Sequence, residues 1–182
     1  MRLFYCVELD GPVRAALAEL ERELRARIGT ANWVAPGNLH LTVRFVGEVG
    51  EGLVEGLTRL GGEVARRSSP FSLSLTRLGA FPNLRRARVL WAGPEEVPEG
   101  FVQLVKWVEA GIIALGLPPE TKEAKAHVTL ARLKPPRDVT MALAGVPFPE
   151  LSLKVGSLTL MESRLTPQGP IYTPLARWGL EG

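Results

Sequence analysis

Two short stretches decide the fold of this chain: "LHLTVRF" at residues 39–45 and "AHVTLARL" at residues 126–133. They contain the only two histidines among 182 residues, and a threonine follows each histidine two positions later. The two pairs are His40 with Thr42 and His127 with Thr129. The alternation of apolar and polar residues predicts strands. Because residues i and i+2 of a strand share a face, each imidazole lies beside a hydroxyl.

The order of predicted elements around these strands repeats. Each half of the chain reads strand, helix, histidine strand, helix and strand. The histidines are 87 residues apart, and the helices that begin at Pro12 and Pro98 are 86 apart. This period is far too long for a solenoid repeat. It predicts two lobes of the same plan, related by an approximate two-fold axis that brings both histidines to one cleft.

The repeat predicts a single bilobal domain over residues 1–182. We expect a first lobe over about 1–80, a second over about 86–165, and a closing strand over about 170–178. Within the lobes, "FSLSLTRLG" from residue 71 and "LSLKVGSLTLM" from residue 151 each predict one continuous strand.

The composition is that of a globular protein, with 46% hydrophobic and 23% charged residues. No apolar run approaches the roughly 18 residues needed to cross a bilayer, and the N-terminus does not resemble a secretory signal. We therefore expect a cytoplasmic protein without membrane contact. The single cysteine, Cys6, is predicted to pack in the core. The net charge of +3 suits an anionic ligand such as a phosphate ester or RNA, although a solvated surface explains it equally well.

Two histidines limit the chemistry. A zinc site normally needs three or four protein ligands, and no carboxylates accompany both histidines. A Ser-His-Asp triad explains only one of them. Two imidazoles with ordinary pKa values near 6.5 can instead divide proton transfer, one accepting and the other donating. This division suits metal-free attack on a phosphodiester, with threonine hydroxyls donating hydrogen bonds to its oxygens. The alternative is a purely structural role for both histidines.

The chain resembles the two-histidine phosphoesterases, and among them the RNA 2′,3′-cyclic phosphodiesterases, also called 2′-5′ RNA ligase-like proteins. The resemblance runs from "RLFYCVEL" through "NWVAPGNLHLTVRFVGEV", "GAFPNLRRARVLWAG" and "AHVTLARL" to "LTLMESRLTPQGPIYTPLARW". It implies a bilobal α+β fold in which antiparallel sheets line a central cleft and helices lie outside. It also implies hydrolysis of RNA 2′,3′-cyclic phosphate ends to 2′-phosphomonoesters, with no cofactor and no metal.

The resemblance also implies roles for individual residues. His40 is the expected proton donor to the leaving 3′ oxygen, and His127 is the expected proton acceptor from water. The expected phosphate-binding residues are Thr42, Thr129 and Arg132. Two features depart from the pattern. Ala126 replaces a common proline, and Arg132 lies five residues after His127, which on a regular strand is the opposite face.

Several other residues are candidates for the cleft. Arg44 has the correct strand parity to contact a phosphate. Phe45 and Tyr172 are candidate stacking platforms for a base, although the alternation predicts that Phe45 packs in the core. The four tryptophans are predicted to pack in the core or at sheet edges. The run "LRRAR" at residues 84–88 is predicted to be either an RNA-phosphate contact or a plain exposed loop.

Other functions remain open from the sequence. One alternative is a module that binds RNA ends or nucleotides without turnover. Another is 2′-5′ joining of RNA ends. Such joining is expected to be weak and reversible, because the sequence contains no Gly-rich loop of the type that binds ATP. Hydrolysis of other cyclic nucleotides or of 2′-5′ linked oligomers is a further option. The expected partners are RNA ends or small cyclic-phosphate nucleotides, with no obligate protein partner.

Overall fold

A computed structural model describes the whole chain, residues 1–182. Four helices are present: α1 (Gly11–Ile28), α2 (Val54–Arg67), α3 (Glu99–Ala114) and the short α4 (Thr140–Leu143). The ten strands are β1 (Arg2–Glu8), β2 (Asn32–Trp33), β3 (His40–Glu48), β4 (Phe71–Leu75), β5 (Arg77–Phe81), β6 (Ala87–Gly93), β7 (Val128–Arg137), β8 (Leu151–Val155), β9 (Ser157–Thr166) and β10 (Gly169–Gly179).

Helix α1 begins where its sequence signals indicate. The Asp10 carboxylate accepts a hydrogen bond from the Val13 backbone N–H at 2.8 Å, which satisfies one of the free donors of the first turn. Pro12 occupies the first turn, where no intrahelical N–H bond is lost. The apolar stripe of the helix is buried against the sheet and comprises Val13, Leu17, Leu20 and Leu24.

The main sheet has the strand order β10-β9-β1-β3-β7-β6-β5, with β2 attached to β7. Read outward from the central β3–β7 pair, β1 matches β6 and β9 matches β5. All the strand pairs of this sheet are antiparallel. This symmetry confirms the predicted bilobal α+β fold, with the approximate two-fold axis between the two histidine strands.

The two halves of the chain exchange strands. β5 comes from the first half and pairs with β6, whereas β9 comes from the second half and pairs with β1. The strands on either side of the β3–β7 junction therefore come from both halves of the chain. The lobe boundaries given above remain a proposal about the internal repeat.

The predictions of one continuous strand from residue 71 and another from residue 151 are wrong. The chain leaves one sheet and enters another at Thr76 and at Gly156, and β4 and β8 form a separate two-stranded sheet. Leu73 lies opposite Leu153 in that small sheet. An alternating pattern continues through such a switch, because it records which face is buried and not which strand is the partner.

The core lies between the sheet and the helices. Its largest fully buried residue, Tyr5 on β1, donates a hydrogen bond from its hydroxyl to the Leu57 carbonyl of α2 at 2.5 Å. Cys6 is fully buried beside Phe4 and Met161, as predicted. None of the helices combines the length and the apolar character that a membrane crossing requires.

We expect Gly61→Ala to destabilise the protein, although alanine is normally the better helix former. A Cβ atom at Gly61 in α2 would overlap the indole ring of Trp178 on β10. Overpacking of this kind costs about 1–3 kcal/mol, or several degrees in Tm. Thermal unfolding measures the effect. Gly11→Ala, which places a Cβ in open space at the start of α1, is the control and should not lower Tm.

Candidate active site

The pairing of β3 with β7 brings the two H-x-T motifs together. Leu41 lies opposite Val128 in an antiparallel register, which places His40 across from Thr129 and Thr42 across from His127. Leu41 and Val128 are fully buried on the core face. The imidazoles and hydroxyls therefore project from the other face of the two central strands, into one cleft.

Matching backbone contacts orient the two imidazole rings. His40 Nδ1 lies 2.7 Å from the Asn38 carbonyl oxygen, and His127 Nδ1 lies 2.8 Å from the Lys125 carbonyl oxygen. A carbonyl can only accept, so each Nδ1 carries the hydrogen. In the neutral ring, Nε2 then holds the lone pair. Each histidine thus has its Nε2 available for proton transfer in the cleft.

The His40 ring is enclosed. Its Nε2 atom lies 3.0 Å from Thr42 Oγ1, and its ring centroid lies 5.0 Å from that of Phe4 and 5.3 Å from that of Tyr172. A neutral ring accepts the Thr42 hydroxyl proton, whereas a protonated ring donates to the same oxygen. For His40 to give its Nε2 proton to a substrate oxygen, this contact with Thr42 has to be released.

The His127 ring is less enclosed. Phe81 approaches it edge-on at 5.0 Å between centroids, and Trp91 lies 6.5 Å away. Within the protein, only its Nδ1 atom forms a hydrogen bond, so Nε2 is free to contact a substrate or water. A cavity of about 170 Å³ adjoins this ring.

Burial lowers the pKa of both histidines below the usual 6.5, because the charged imidazolium loses hydration. The positive charge of Arg132 lowers the pKa of each ring further, and His127 also lowers the pKa of His40. The hydrogen bonds to the Asn38 and Lys125 carbonyls act in the opposite direction. Both rings therefore lie within the electrostatic range of Arg132.

Arg132 reaches the cleft because β7 contains a bulge. In the pairing with β6, Thr129 lies opposite Trp91 and Ala131 lies opposite Leu90, so one extra residue, Leu130, is inserted. Leu130 and Ala131 are both fully buried, and Arg132 returns to the face of Thr129. On a regular strand Arg132 would lie on the core face, opposite His127. The bulge places it on the same face as His127.

The prediction that Arg44 faces a phosphate is wrong. A bulge after Thr42 turns Arg44 toward the helix layer, where its guanidinium lies 2.9 Å from the Glu109 carboxylate of α3. Arg44 also donates hydrogen bonds to the Pro118 and Phe45 carbonyls. Its charge is paired on the face opposite the histidines.

The same bulge makes the core prediction for Phe45 wrong. Phe45 is 54% exposed and lies opposite Phe4, with ring centroids 5.7 Å apart. The repeat of 87 residues makes Phe45 the counterpart of Arg132 in the other lobe. One side of the cleft thus presents an aromatic ring where the other presents a cation.

Three aromatic residues of the site escape sequence reasoning: Phe4, Phe81 and Trp91. The sequence predicts only packing for Trp91, and its ring does cover Gly79, but it also faces His127. Phe81 lies at the end of β5, which the sequence does not separate from β4. The strand exchange places Phe81 beside His127, and no local pattern records that exchange.

Carboxylates do not contact either imidazole. Glu8, opposite His40 on β1, is bound by Arg177 at 2.7 Å and by the Thr159 hydroxyl at 2.7 Å. The hydrogen bond from Arg177 keeps the pKa of Glu8 below its usual value. No group of three or more histidine, cysteine, aspartate or glutamate side chains is arranged to hold a metal ion.

The two antiparallel H-x-T motifs on one face of this sheet are the arrangement expected of a two-histidine phosphoesterase. Comparison with known proteins supports this class. The sequence profile of the LigT-like phosphoesterases matches residues 7–91 and again residues 92–172. The chain belongs to this family. The two matches divide the chain close to its internal repeat.

Curated relatives cover nearly the whole chain. An RNA 2′,3′-cyclic phosphodiesterase of Thermus thermophilus is 39% identical over 100% of this chain and 91% of its own length. The enzyme of the same name from Methanothermobacter thermautotrophicus is 35% identical over 96% of both chains.

Solved structures agree with these relatives. The crystal structure of TT0787 from Thermus thermophilus superposes with a TM-score of 0.84 at 37% identity, covering 100% of this chain and 99% of that one. E. coli LigT complexed with 3′-AMP gives 0.77 at 30% identity, covering 100% and 98%.

We expect kcat/KM to peak at a pH below about 6.5. This parameter reports the free enzyme, which needs one neutral and one protonated histidine, and burial lowers both pKa values. Arg132→Gln should move the whole profile to higher pH, because loss of a nearby positive charge makes each imidazolium easier to form. A pH series of initial rates with both proteins measures this. Arg22→Gln, on the exposed face of α1, is the control and should not move the profile; a shift of the Arg132→Gln profile to lower pH would contradict the assignment.

Proposed function

We propose that this protein hydrolyses 2′,3′-cyclic phosphate ends of RNA to 2′-phosphomonoesters by acid–base catalysis with two histidines. The observation that carries the proposal is the pair of carbonyl contacts at His40 and His127. They give both rings the same tautomer, with two Nε2 atoms in one cleft. The names of the curated relatives support the same activity.

In the proposed reaction, His127 Nε2 removes a proton from water, and the resulting hydroxide attacks phosphorus in line with the bond to the 3′ oxygen. A protonated His40 donates its Nε2 proton to that leaving oxygen. The P–O3′ bond breaks and the P–O2′ bond remains. One proton has passed from water to His127, and one from His40 to the 3′ oxygen. The product is a 2′-phosphomonoester with a free 3′ hydroxyl.

The different surroundings of the two rings support this division of roles. His127 has an unoccupied Nε2 and open space beside it, as a base acting on water needs. His40 is enclosed by Phe4 and Tyr172, which suits a donor that must keep water away from the leaving oxygen. The bound anionic phosphate would raise the pKa of both rings and favour the protonated donor.

Thr42, Thr129 and Arg132 are the proposed phosphate ligands. The two hydroxyls lie one on each central strand, on the face of the histidines, and the Arg132 guanidinium has no carboxylate within ion-pair distance. A cation and hydroxyl donors stabilise charge that develops on the non-bridging oxygens in the transition state. Because both proton transfers are assigned to imidazoles, we propose that the reaction needs neither metal nor cofactor, and that it continues in EDTA.

RNA is the proposed substrate, with small cyclic-phosphate nucleotides as minimal versions of it. Four cations that are near Arg132 along β6 and β7 or in the turn before β6 are exposed and have no carboxylate within ion-pair distance, and we propose that they form a basic rim. The rim consists of Arg85, Arg86, Arg88 and Lys134. Val89 pairs with Arg132, and the turn that precedes β6 carries Arg85 and Arg86. E. coli LigT has been solved with 3′-AMP, NADP⁺ and ATP, which supports nucleotide ligands. The cytoplasmic location and the lack of an obligate protein partner remain predictions.

The second candidate function is 2′-5′ joining of RNA ends, the reverse use of the same two histidines. A 5′ hydroxyl would replace water as the entering group, and the strained cyclic phosphate would supply the driving force in place of ATP. A module that only binds RNA ends is less well supported, since both histidines, both threonines and Arg132 are assembled in one cleft.

Replacing either histidine tests the mechanism. We expect His40→Ala and His127→Ala each to reduce turnover of an oligonucleotide with a 2′,3′-cyclic phosphate end by about 10²–10⁴-fold, the usual worth of a general acid or base. Circular dichroism should show an intact fold. The product phosphate should be on the 2′ oxygen. Tight binding of the oligonucleotide by the wild-type protein without product would contradict the proposal and favour the binding module, and activity that requires added zinc would contradict the metal-free mechanism.

The basic rim predicts a salt effect that depends on RNA length. For a cyclic-phosphate oligonucleotide, Arg85→Gln/Arg86→Gln should reduce the slope of log(kcat/KM) against log[salt] by up to about 1.4, which is about 0.7 for each lost phosphate contact on a single strand. A cyclic mononucleotide lacks the upstream phosphates, so its slope should not change. Arg22→Gln/Arg59→Gln removes the same charge from the exposed faces of α1 and α2 and is the matched control. Equal slopes for both double variants would contradict the role of the rim.

A further inference from the structure

The cavity beside His127 is much larger than attack by water requires. Its volume is about 170 Å³, whereas about 10–15 Å³ in the same measure holds one water molecule. It lies between β5, the start of the loop after β6, and the segment that leads into His127. Its walls include Phe81, Trp91 and Val97 together with four charged residues, Arg77, Lys125, Glu95 and Glu123.

The position of the cavity is asymmetric with respect to the repeat. His40 is closed in by Phe4, Tyr172 and its hydrogen bond with Thr42, and it does not line this cavity. In-line displacement at phosphorus requires the entering group to approach opposite the leaving oxygen. If His40 protonates the leaving oxygen, the entering group arrives from the side of His127, where the cavity lies.

We propose that this cavity binds a second nucleoside, whose 5′ hydroxyl takes the place of water. The inference rests on the proposed function, because it uses the same histidines in the same roles. It assigns to the cavity the acceptor end in 2′-5′ joining. In the reverse reaction, the cavity holds the departing 5′ nucleoside of a 2′-5′ linkage.

The walls have the chemistry to recognise a nucleoside. Phe81 and Trp91 offer aromatic surface to a base, and base–aromatic stacking tolerates any base sequence. The Arg77 guanidinium lies 5.3 Å from the centre of the Trp91 ring and extends this surface. Cavity residues Glu95 and Glu123 can accept hydrogen bonds from ribose hydroxyls or base amino groups.

The charges of the walls favour a 5′ hydroxyl end over a 5′ phosphate end. Two cations, Arg77 and Lys125, are matched by two carboxylates, Glu95 and Glu123, so the cavity carries no formal excess of positive charge. In the basic rim, Asp138 lies within electrostatic range of Arg85, whereas Arg132 has no carboxylate within ion-pair distance. The electrostatic attraction of a terminal phosphate, which carries about two negative charges, would therefore be weaker in the cavity than at Arg132.

The step balances without a co-reactant. His127 Nε2 accepts the proton of the 5′ hydroxyl, and the 5′ oxygen forms a bond to phosphorus. The P–O3′ bond breaks, and His40 donates a proton to the 3′ oxygen. The product is a 2′-5′ phosphodiester, with each histidine in the protonation state that the reverse reaction needs.

The test fills the cavity with a larger side chain. Val97 is 46% exposed and lines the cavity, so Val97→Trp should exclude a nucleoside while still admitting water. Val102 on α3 is 45% exposed and does not line it, so Val102→Trp is the matched control. Glu95→Trp fills the cavity from another position and protects the test against a folding defect peculiar to Val97→Trp.

The assay mixes an oligonucleotide with a 2′,3′-cyclic phosphate end and a second oligonucleotide with a 5′ hydroxyl, and measures joined against hydrolysed product. Cleavage of a 2′-5′ linked dinucleotide is measured in parallel. We expect both cavity-filling variants to lower the ratio of joining to hydrolysis, and the dinucleotide cleavage, by at least about tenfold, the worth of one stacked base. Hydrolysis by these variants should stay within about twofold of wild type, and Val102→Trp should match wild type throughout.

Several outcomes would overturn the inference. One is an unchanged ratio in both cavity-filling variants. Another is a wild-type protein that hydrolyses cyclic ends yet neither joins strands nor cleaves the dinucleotide, which would leave the proposed function intact. An acceptor with a 5′ phosphate that joins as well as the 5′ hydroxyl form would exclude the assigned chemistry. A wild-type protein without hydrolysis would instead refute the proposed function itself.

Discussion

The antiparallel pairing of Leu41 with Val128 is the constraint on which the rest of the site depends. Their burial fixes the core face of both central strands, and the opposite face must then present the two histidines and two threonines together. A slip of one residue in either strand would turn its imidazole into the core. The backbone carbonyls two residues before each histidine complete the arrangement, because each holds Nδ1 as a donor and leaves Nε2 for chemistry.

The approximate symmetry brings the histidines together, and the departures from symmetry give them different surroundings. His40 is enclosed by aromatic rings, whereas His127 adjoins a cavity. The positions that follow the two bulges hold Phe45 in one lobe and Arg132 in the other. A symmetric pair of imidazoles with equal surroundings could not assign entering and leaving groups to particular sides of a phosphate. In the proposed mechanism the unequal neighbours make this assignment.

Much of this molecule was predictable from sequence. The helices α1 and α3 follow from their apolar stripes and start signals, and the H-x-T strands follow from alternation and the repeat of 87 residues. The two errors at the site share one cause. Arg44 and Phe45 were placed by strand parity, and a bulge, which inserts one residue, reverses parity for everything after it. Periodicity records burial on a regular strand and carries no signal for an inserted residue.

The sequence alone determined the residue types of the site, their pairing within each motif, and the fact that the two halves share a plan, since these depend on local spacing. Only the tertiary structure decided which strands are neighbours: the chain changes sheets at Thr76 and Gly156, and this exchange brings Phe81 to His127. It also decided that Arg132 faces the histidines and that Arg44 does not. Strand partners and bulges are chosen by the packing of the whole sheet on its helices, a long-range balance that no short stretch of sequence contains.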